Sequence, residues 1–265
     1  MRDVQPPPVV LSVAGSDPSG GAGLQADLKT FATHRVYGAA VVTLLTVQNT
    51  TAVRRVQVIA PDLVAEQIDA VVEDLAPRAI KTGALGNAAV VRAVAERLAR
   101  VGVPLVVDPV AVSKHGAPLL EPDAVDALRT KLVPIATLVT PNAAEAAQLS
   151  GRPVRDIDDA LRAAEAIAAL GPRAVLVKGG HFSGEPHDVL LENGRVTVLH
   201  GRRVATQRTH GTGCALSAAI AARLARGEPL ADAVERAKRW LERALVMAPP
   251  LGHGIGPPDL AQPPP

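Results

Sequence analysis

Short apolar runs alternate along the chain with longer segments in which apolar residues recur with helical spacing. This alternation predicts buried strands that are followed by amphipathic helices. The predicted strands lie at 9–14, 39–48, 79–85, 104–110, 137–142 and 174–181. The predicted helices lie at 24–34, 61–75, 87–102, about 213–226 and about 230–247. Asn193-Gly194 stands between two apolar runs and predicts a two-residue hairpin turn.

Local signals support two of these helices. Pro61 stands at the first helical position of 61–75, where its missing N–H costs nothing. Asn87 is a capping residue type before the next helix, and Gly102 is the residue expected after its end.

Strand–helix alternation over the whole length predicts an α/β fold with a mostly parallel central sheet flanked by helices. The polar and glycine-rich segments nearly all follow a predicted strand. Because the carboxyl ends of parallel strands share one edge of a sheet, these loops are expected to gather there and bind a ligand.

Composition narrows the class of protein. The chain has 265 residues, 28 basic and 26 acidic, so its net charge is +2 and gives no electrostatic reason to expect nucleic acid or an anionic membrane as a partner. Aromatic residues are only 2%, and no apolar run is long enough to span a bilayer. One cysteine and no recognisable signal peptide indicate a cytoplasmic protein. We expect a single domain over residues 1–265, with loose proline-rich ends at 1–8 and 257–265.

Several common chemistries lack their sequence signatures. The chain has no Gly-Lys dipeptide and therefore no Walker-type phosphate loop, and no G-x-G-x-x-G follows its first strand. The serine-hydrolase and zinc-protease motifs are also absent.

The most informative stretch is Gly211-Thr212-Gly213-Cys214, which precedes a predicted helix and contains the only cysteine. Backbone N–H groups at a helix N-terminus have no intrahelical partner, and glycines let an anion approach them. The stretch therefore predicts a cradle for a phosphoryl group, with the Cys214 pKa lowered by the helix dipole. The alternative is a glycine turn in front of a small buried cysteine.

Taken together, seven stretches resemble the hydroxymethylpyrimidine and phosphomethylpyrimidine kinases of thiamine synthesis, in the ribokinase-like superfamily. They are VAGSDPSGGAGLQADLKTF, TVQNT, DPVAVSKHG, VTPNAAEA, VLVKGGH, THGTGCALSAAIAA and GHGIGP, in the family's order from about residue 10 to 257. The resemblance implies a ribokinase-like three-layer fold and an enzyme that uses ATP and Mg²⁺. It further implies phosphorylation of a pyrimidine alcohol and then of its monophosphate, and a homo-oligomer, with a dimer favoured by analogy.

The resemblance also implies roles for individual residues. Gly211, Thr212, Gly213 and Cys214 would form the anion hole, with Cys214 as the base. Gln48, Asp17, Gly15 and Gly21 would bind the pyrimidine. Lys178, Thr209 and Asn142 would contact the ATP phosphates, and Asp108 and Glu145 would hold the metal. For some of these residues a structural alternative stays open: Asn142 and Glu145 as a helix cap and first-turn acid, Lys178 as a surface residue, and Asp108 as the end of a strand.

Two departures from the family pattern concern the pocket. Ala84 and Ala111 stand where the family usually has methionine, so the pocket is expected to be roomier unless other residues fill it. Pyridoxal kinase therefore remains an alternative activity. A catalytically silent vitamin-binding protein on the same fold is a third.

Overall fold

Six parallel strands form the centre of a nine-stranded sheet, in the order β3-β2-β1-β4-β5-β6-β7-β8-β9. The edge strand β3 is antiparallel to β2, and at the other edge β8 and β9 form an antiparallel hairpin beside β7. The computed structural model describes residues 5–180 and 182–264. The strands are β1 Val9–Ser16, β2 Tyr37–Gln48, β3 Val53–Val58, β4 Ala79–Thr82, β5 Leu105–Val107, β6 Leu138–Val139, β7 Ala174–Val177, β8 Asp188–Glu192 and β9 Arg195–Leu199.

Helices cover both faces of this sheet. They are α1 Gly23–Thr33, α2 Pro61–Leu75, α3 Ala88–Leu98, α4 Ala124–Ala127, α5 Ala143–Ser150, α6 Ile157–Ala168, α7 Thr212–Ala225 and α8 Leu230–Val246. Helix α4 continues into a π-helical turn, Leu128–Leu132, and a 3₁₀ turn, Val133–Ile135. Among the described residues, no helix is long and apolar enough to cross a membrane.

The alternation of side chains along each strand divides the core into two layers. In β1, Leu11 and Val13 belong to the apolar cluster under α2 to α6, whereas Val10 belongs to the cluster under α1, α7 and α8. Helix α7 is Ala-rich and buried almost all round, which lets it lie close against β1, β4 and β5. The predicted three-layer α/β architecture is therefore confirmed.

Most predicted elements occur close to their expected positions. The helix predicted at 61–75 is α2, and Asn87 caps α3 by accepting a hydrogen bond from the Val90 N–H at 3.0 Å. Asn193 and Gly194 form the β8–β9 turn with φ angles of 50° and 77°. The helix predicted at 87–102 ends earlier, at Leu98, and strand β3 was not predicted.

The expectation of a loose C-terminal end is wrong for residues 259–262. Leu260 is buried, and the indole N–H of the buried Trp240 donates to the Gln262 carbonyl at 2.8 Å. The Asp259 N–H also donates to the Ala244 carbonyl at 2.9 Å. These contacts fasten the segment to α8. The same expectation for residues 1–4 and Pro265 falls outside the described residues.

Candidate active site

A large cavity of about 1080 Å³ opens where the parallel strands end. Residues directly after β1, β4, β5, β6 and β7 line it together with the start of α7, so the loops gather at one edge of the sheet as predicted. All the predicted site residues except Gly21 contribute to its wall: Gly15, Asp17, Gln48, Asp108, Asn142, Glu145, Lys178, Thr209, Gly211, Thr212, Gly213 and Cys214. Gly21 is not part of the lining, and a Cβ there would lie 2.6 Å from Cδ2 of the His210 ring.

Gly211 and Gly213 are glycines for two different structural reasons. Gly211 precedes α7 with a φ of +77°, and a Cβ there would lie 1.9 Å from the Gly21 carbonyl oxygen. The missing side chain of Gly211 therefore allows its loop to pack against the loop of Gly21. The group that comes close to Gly211 is thus protein backbone. At Gly213 a Cβ would lie 3.2 Å from Lys178 Nζ and 3.6 Å from Asp108 Oδ2. The first turn of α7 thus faces a lysine and a carboxylate across a narrow gap.

Lys178 and Asp108 form the charged centre of the cavity. Lys178 Nζ donates to Asp108 Oδ1 at 2.9 Å, and the Lys178 side chain is only 14% exposed, so it is not a surface residue. Burial alone would lower the Lys178 pKa, but the carboxylates of Asp108 and Glu145 raise it, so the amine stays protonated. Ser217 in α7 donates to Asp108 Oδ2 at 3.2 Å, which ties the carboxylate to the same helix.

Asn142 and Glu145 form a reciprocal cap at the start of α5. The Asn142 side chain accepts from the Glu145 N–H at 3.0 Å, and Glu145 Oε2 accepts from the Asn142 N–H at 2.8 Å. The structural alternative for this pair is therefore present in the molecule, while both residues also line the cavity. Burial raises the Glu145 pKa to about 7, and the nearby Asp108 charge adds to this against the opposing effect of Lys178.

The thiol of Cys214 does not have the lowered pKa that the helix dipole predicted. Burial raises the Cys214 pKa to about 11, and the cation of Lys81 only partly offsets it. The sequence shows the helix N-terminus but not that Cys214 packs against the apolar cluster under α1, α7 and α8 while it stays partly exposed to the cavity. Cys214 is therefore a protonated thiol at neutral pH.

Beneath the thiol lies a buried ion pair that the sequence reasoning missed. Lys81 Nζ on β4 lies 2.8 and 3.0 Å from the two carboxylate oxygens of Asp27 on α1, and both side chains are fully buried. Ser12 on β1 donates to Asp27 Oδ2 at 2.5 Å. Burial alone would lower the Lys81 pKa, but the Asp27 charge raises it and keeps the pair ionised. Lys81 is also part of the cavity wall.

The end of the cavity away from Lys178 is built by three loops that meet at His210. Asp17 Oδ2 lies 2.7 Å from His210 Nε2, and Gln48 Nε2 lies 2.9 Å from the same ring nitrogen. Gly15 lies in the adjoining wall, where a Cβ would come within 2.5 Å of Leu44 Cδ1. Ala84 lines this cavity, whereas Ala111 is buried outside the lining, so only the first departure from the family pattern can enlarge the pocket.

Comparison with known proteins agrees with this arrangement. The family model described as "Phosphomethylpyrimidine kinase" matches residues 17–259. The chain belongs to this family. A hydroxymethylpyrimidine/phosphomethylpyrimidine kinase from Streptomyces coelicolor is 46% identical over 253 residues, which are 96% of this chain and 94% of that protein.

Two solved structures of this fold are also similar. The phosphomethylpyrimidine kinase of Clostridium difficile superposes with a TM-score of 0.79 at 40% identity, over 88% of this chain and 97% of that one. An ADP complex of Bacillus subtilis pyridoxal kinase gives a TM-score of 0.87 at 35% identity, over 95% and 96% of the two chains. The fold family thus includes kinases named for two different small alcohols.

Some site residues carried little signal in the sequence. Lys81 and Asp27 are 54 positions apart, and although Asp27 lies in the stretch VAGSDPSGGAGLQADLKTF, no pattern in the sequence pairs the two. His210 lies directly before the 211–214 stretch, and its position beside an anion-hole motif was the one available hint that it faces the cavity.

Proposed function

We propose that this protein transfers the γ-phosphoryl group of ATP to the hydroxymethyl group of an aminopyrimidine, and then a second phosphoryl group to the resulting monophosphate. The observation that carries the proposal is that Gln48 and Cys214 share a cavity with Lys178 and Asp108. Groups suited to a heterocycle edge and groups suited to a phosphate chain therefore line one space.

At the heterocycle end, Gln48 offers an amide that both donates and accepts, which matches the amino group and adjacent ring nitrogen of an aminopyrimidine. Asp17 holds the loop before α1 in place, because its carboxylate accepts from the N–H and hydroxyl of Ser19 and from the Ala22 N–H. The loop closes one wall of the cavity around the substrate.

At the phosphate end, the first turn of α7 faces Lys178 at Gly213, and N–H groups in the first turn of a helix have no intrahelical partner. Phosphoryl transfer requires in-line positioning and charge neutralisation more than covalent chemistry. The protonated Lys178 and the N–H group of Gly213 would stabilise charge on the transferred group, whereas the Thr212 N–H donates to the Thr209 carbonyl at 3.4 Å. Asn142 and Thr209, which line the adjacent wall, would contact the rest of the phosphate chain.

Asp108 and Glu145 would hold Mg²⁺ together with phosphate oxygens and water. In the part of the chain that the structure describes, no three His, Cys, Asp or Glu side chains cluster closely enough to bind a metal by themselves. Two carboxylates fit Mg²⁺, which keeps several waters and shares its coordination with substrate phosphates. When bound, the ion would neutralise phosphate charge. It would also favour the ionised form of Glu145, whose charge burial disfavours.

Cys214 would accept the proton of the first alcohol nucleophile through its thiolate form, which a pKa of about 11 makes a minor species at neutral pH. The second nucleophile is a phosphate oxygen that is already ionised and needs no base. The same cavity would therefore carry out two transfers with different requirements for a proton acceptor.

The pyridoxal kinase alternative rests on the 35% identical Bacillus subtilis structure and on the small Ala84 in the cavity wall. A substrate panel separates the two activities: ATP, Mg²⁺ and either the aminopyrimidine alcohol or pyridoxal, with mono- and diphosphate products followed by chromatography. We expect diphosphate from the pyrimidine and a kcat/KM at least tenfold lower for pyridoxal.

Asp108→Asn is the control for this panel, because it should abolish turnover of every alcohol and so exclude a contaminating kinase. A preference for pyridoxal would replace the proposed activity with the alternative. No ATP turnover with either alcohol would favour a silent binding protein.

A further inference from the structure

His210 joins three loops that the sequence keeps far apart. Its ring contacts Asp17 from the loop before α1 and Gln48 from the end of β2. The backbone N–H of His210 donates to the Gly256 carbonyl at 3.0 Å. The residue is only 2% exposed, and a Cβ at Gly21 would lie 2.6 Å from His210 Cδ2, so the ring has no room to move on that side. The imidazole therefore has one fixed orientation in the wall of the substrate cavity.

The partners of Asp17 determine which ring nitrogen carries the proton. The Asp17 carboxylate already accepts from Ser19 and Ala22, and although burial opposes it, these bonds and His210 lower the Asp17 pKa. An ionised carboxylate only accepts hydrogen bonds, so a ring nitrogen 2.7 Å from its Oδ2 must be an N–H. Nδ1 of His210 contacts no hydrogen-bonding atom among residues 5–180 and 182–264, so no group there would accept from an Nδ1–H. A buried acceptor without a hydrogen bond costs less free energy than a buried N–H donor without one.

This protonation state has a consequence for Gln48. A protonated Nε2 cannot accept from the Gln48 NH₂ group at 2.9 Å, because both are donors. A half-turn of the amide about its last side-chain bond exchanges Oε1 and Nε2 without moving other atoms. Oε1 then shares the single Nε2–H of His210 with Asp17 Oδ2 in a bifurcated hydrogen bond, and the NH₂ group turns toward the cavity.

We propose that His210 is a positioning residue that fixes the amide of Gln48, so that its NH₂ group donates to a ring nitrogen of the substrate while Oε1 accepts from the neighbouring amino group. This inference rests on the proposed function and names the residue that selects an aminopyrimidine over other small alcohols. The carbonyl oxygen has two lone pairs, so it can accept from His210 and from the substrate together.

The same arrangement explains why a hydroxypyridine alcohol would depend less on His210. A ring hydroxyl rotates and can donate or accept, so it tolerates either orientation of the Gln48 amide. An amino group beside a ring nitrogen presents a fixed donor–acceptor order, and the wrong orientation sets donor against donor.

The test compares His210→Leu, which keeps similar volume but has no donor, with His210→Gln, whose side-chain NH₂ can replace Nε2–H. We expect His210→Leu to raise KM for the aminopyrimidine alcohol by about tenfold, the upper end of the usual effect of losing a hydrogen bond between neutral groups. The KM for ATP and the kcat/KM for pyridoxal should change less than about threefold, and His210→Gln should restore most of the loss. His115→Leu is the matched control, because His115 is a neighbouring ring whose side chain, among the described residues, hydrogen-bonds the Thr50 carbonyl alone.

An equal loss for both alcohols, or no rescue by His210→Gln, would overturn the inference and leave His210 a packing residue. A second measurement does not depend on turnover: the ¹⁵N shifts of His210 in the free wild-type protein should report the Nε2–H tautomer. The Nδ1–H tautomer would also overturn the inference. Absence of pyrimidine phosphorylation by the wild type would refute the proposed function, and the tautomer would still decide the role of His210.

Discussion

At the residue scale, Cys214 shows how burial outweighs a favourable helix terminus. The dipole at an exposed or partly buried helix end is worth about 0.3–2 kcal/mol, whereas removing a charge from water costs several kcal/mol. The raised Cys214 pKa, about 11, follows from that difference. A thiolate base would then be present in only a small fraction of molecules at neutral pH. This fraction increases about tenfold for each unit by which the pH rises, as long as the pH stays below the pKa.

The first prediction uses this pH dependence. If the Cys214 thiolate accepts the alcohol proton, kcat of the first phosphorylation should rise about tenfold per pH unit from pH 7 to 10, while the second phosphorylation should stay nearly flat. Cys214→Ala should slow the first step by on the order of 10²- to 10⁴-fold and abolish its slope, because general-base catalysis contributes about that much. Single-turnover kinetics with each substrate measures both rates. Equal slowing of the two steps would assign Cys214 a structural role instead.

Which site residues could be predicted depended on whether their chemistry has a local pattern. The 211–214 stretch and Gln48 lie in short motifs, and the structure places them in one cavity. Lys81, Asp27 and His210 act through contacts between distant segments, and a lone lysine or histidine in a strand or loop predicts nothing by itself. Gly211 lies at the cavity as predicted, but its glycine has another cause. The sequence suggested room for an anion, whereas the structure has the Gly21 carbonyl next to it.

At the element scale, the Lys81–Asp27 pair fastens β4 to α1 beneath the site, and Ser12 connects it to β1. Removing one partner of a fully buried pair leaves an uncompensated charge, whereas replacing both with apolar side chains of similar size does not. We predict that Lys81→Met lowers the free energy of unfolding by about 3–5 kcal/mol, and that Asp27→Leu/Lys81→Met is more stable than Lys81→Met alone. Urea denaturation of the single and double variants measures both. Additive losses from the two substitutions would contradict the prediction.

The elements themselves were mostly predictable, because long amphipathic helices and buried parallel strands have strong periodicity. Helix α7 begins and ends within one residue of its predicted bounds. Strand β3 was missed because it is a half-exposed edge strand in which two arginines interrupt the apolar pattern. Antiparallel pairing with β2 stabilises β3 as a strand, although its sequence has no strand pattern.

At the scale of the whole molecule, His34 makes the free energy of unfolding depend on pH. Its ring is buried against Trp240, its Nδ1–H donates to the Thr30 carbonyl at 2.9 Å, and burial lowers the His34 pKa to about 4. A histidine that is neutral when folded and ionises near pH 6.5 when unfolded stabilises the protein above pH 6.5 and loses that effect as the pH falls to 4. We predict that the stability advantage of wild type over His34→Phe shrinks by roughly 3 kcal/mol between pH 7 and 4.

Urea denaturation of both proteins at several pH values measures this difference, and the other titrating groups cancel because the two chains share them. A constant difference across the range would mean that the His34 pKa is the same in the folded and unfolded protein. The predicted dimer and cytoplasmic location belong to the same scale and stay predictions.

The last prediction concerns the C-terminal segment, whose composition predicted a loose end. Prolines remove N–H groups but do not prevent burial, and Leu260 is buried while its carbonyl accepts from the Thr33 hydroxyl of α1 at 2.8 Å. Deleting residues 258–265 would expose Leu260's site and the single tryptophan, Trp240. Losing one buried leucine costs about 1.5–3 kcal/mol, and each kcal/mol lowers Tm by about 2–4 °C in a chain of this size.

We therefore expect the truncated protein to melt roughly 5–10 °C lower and its tryptophan emission to shift to longer wavelength. Deletion of 263–265 alone keeps the Gln262 carbonyl that accepts from the Trp240 indole, so it should change neither value. Because Gly256, which accepts from the His210 backbone, remains in both chains, the KM values should be nearly unchanged. Unaltered emission after the longer deletion would show that the segment leaves Trp240 covered by other side chains and has no part in closing the core.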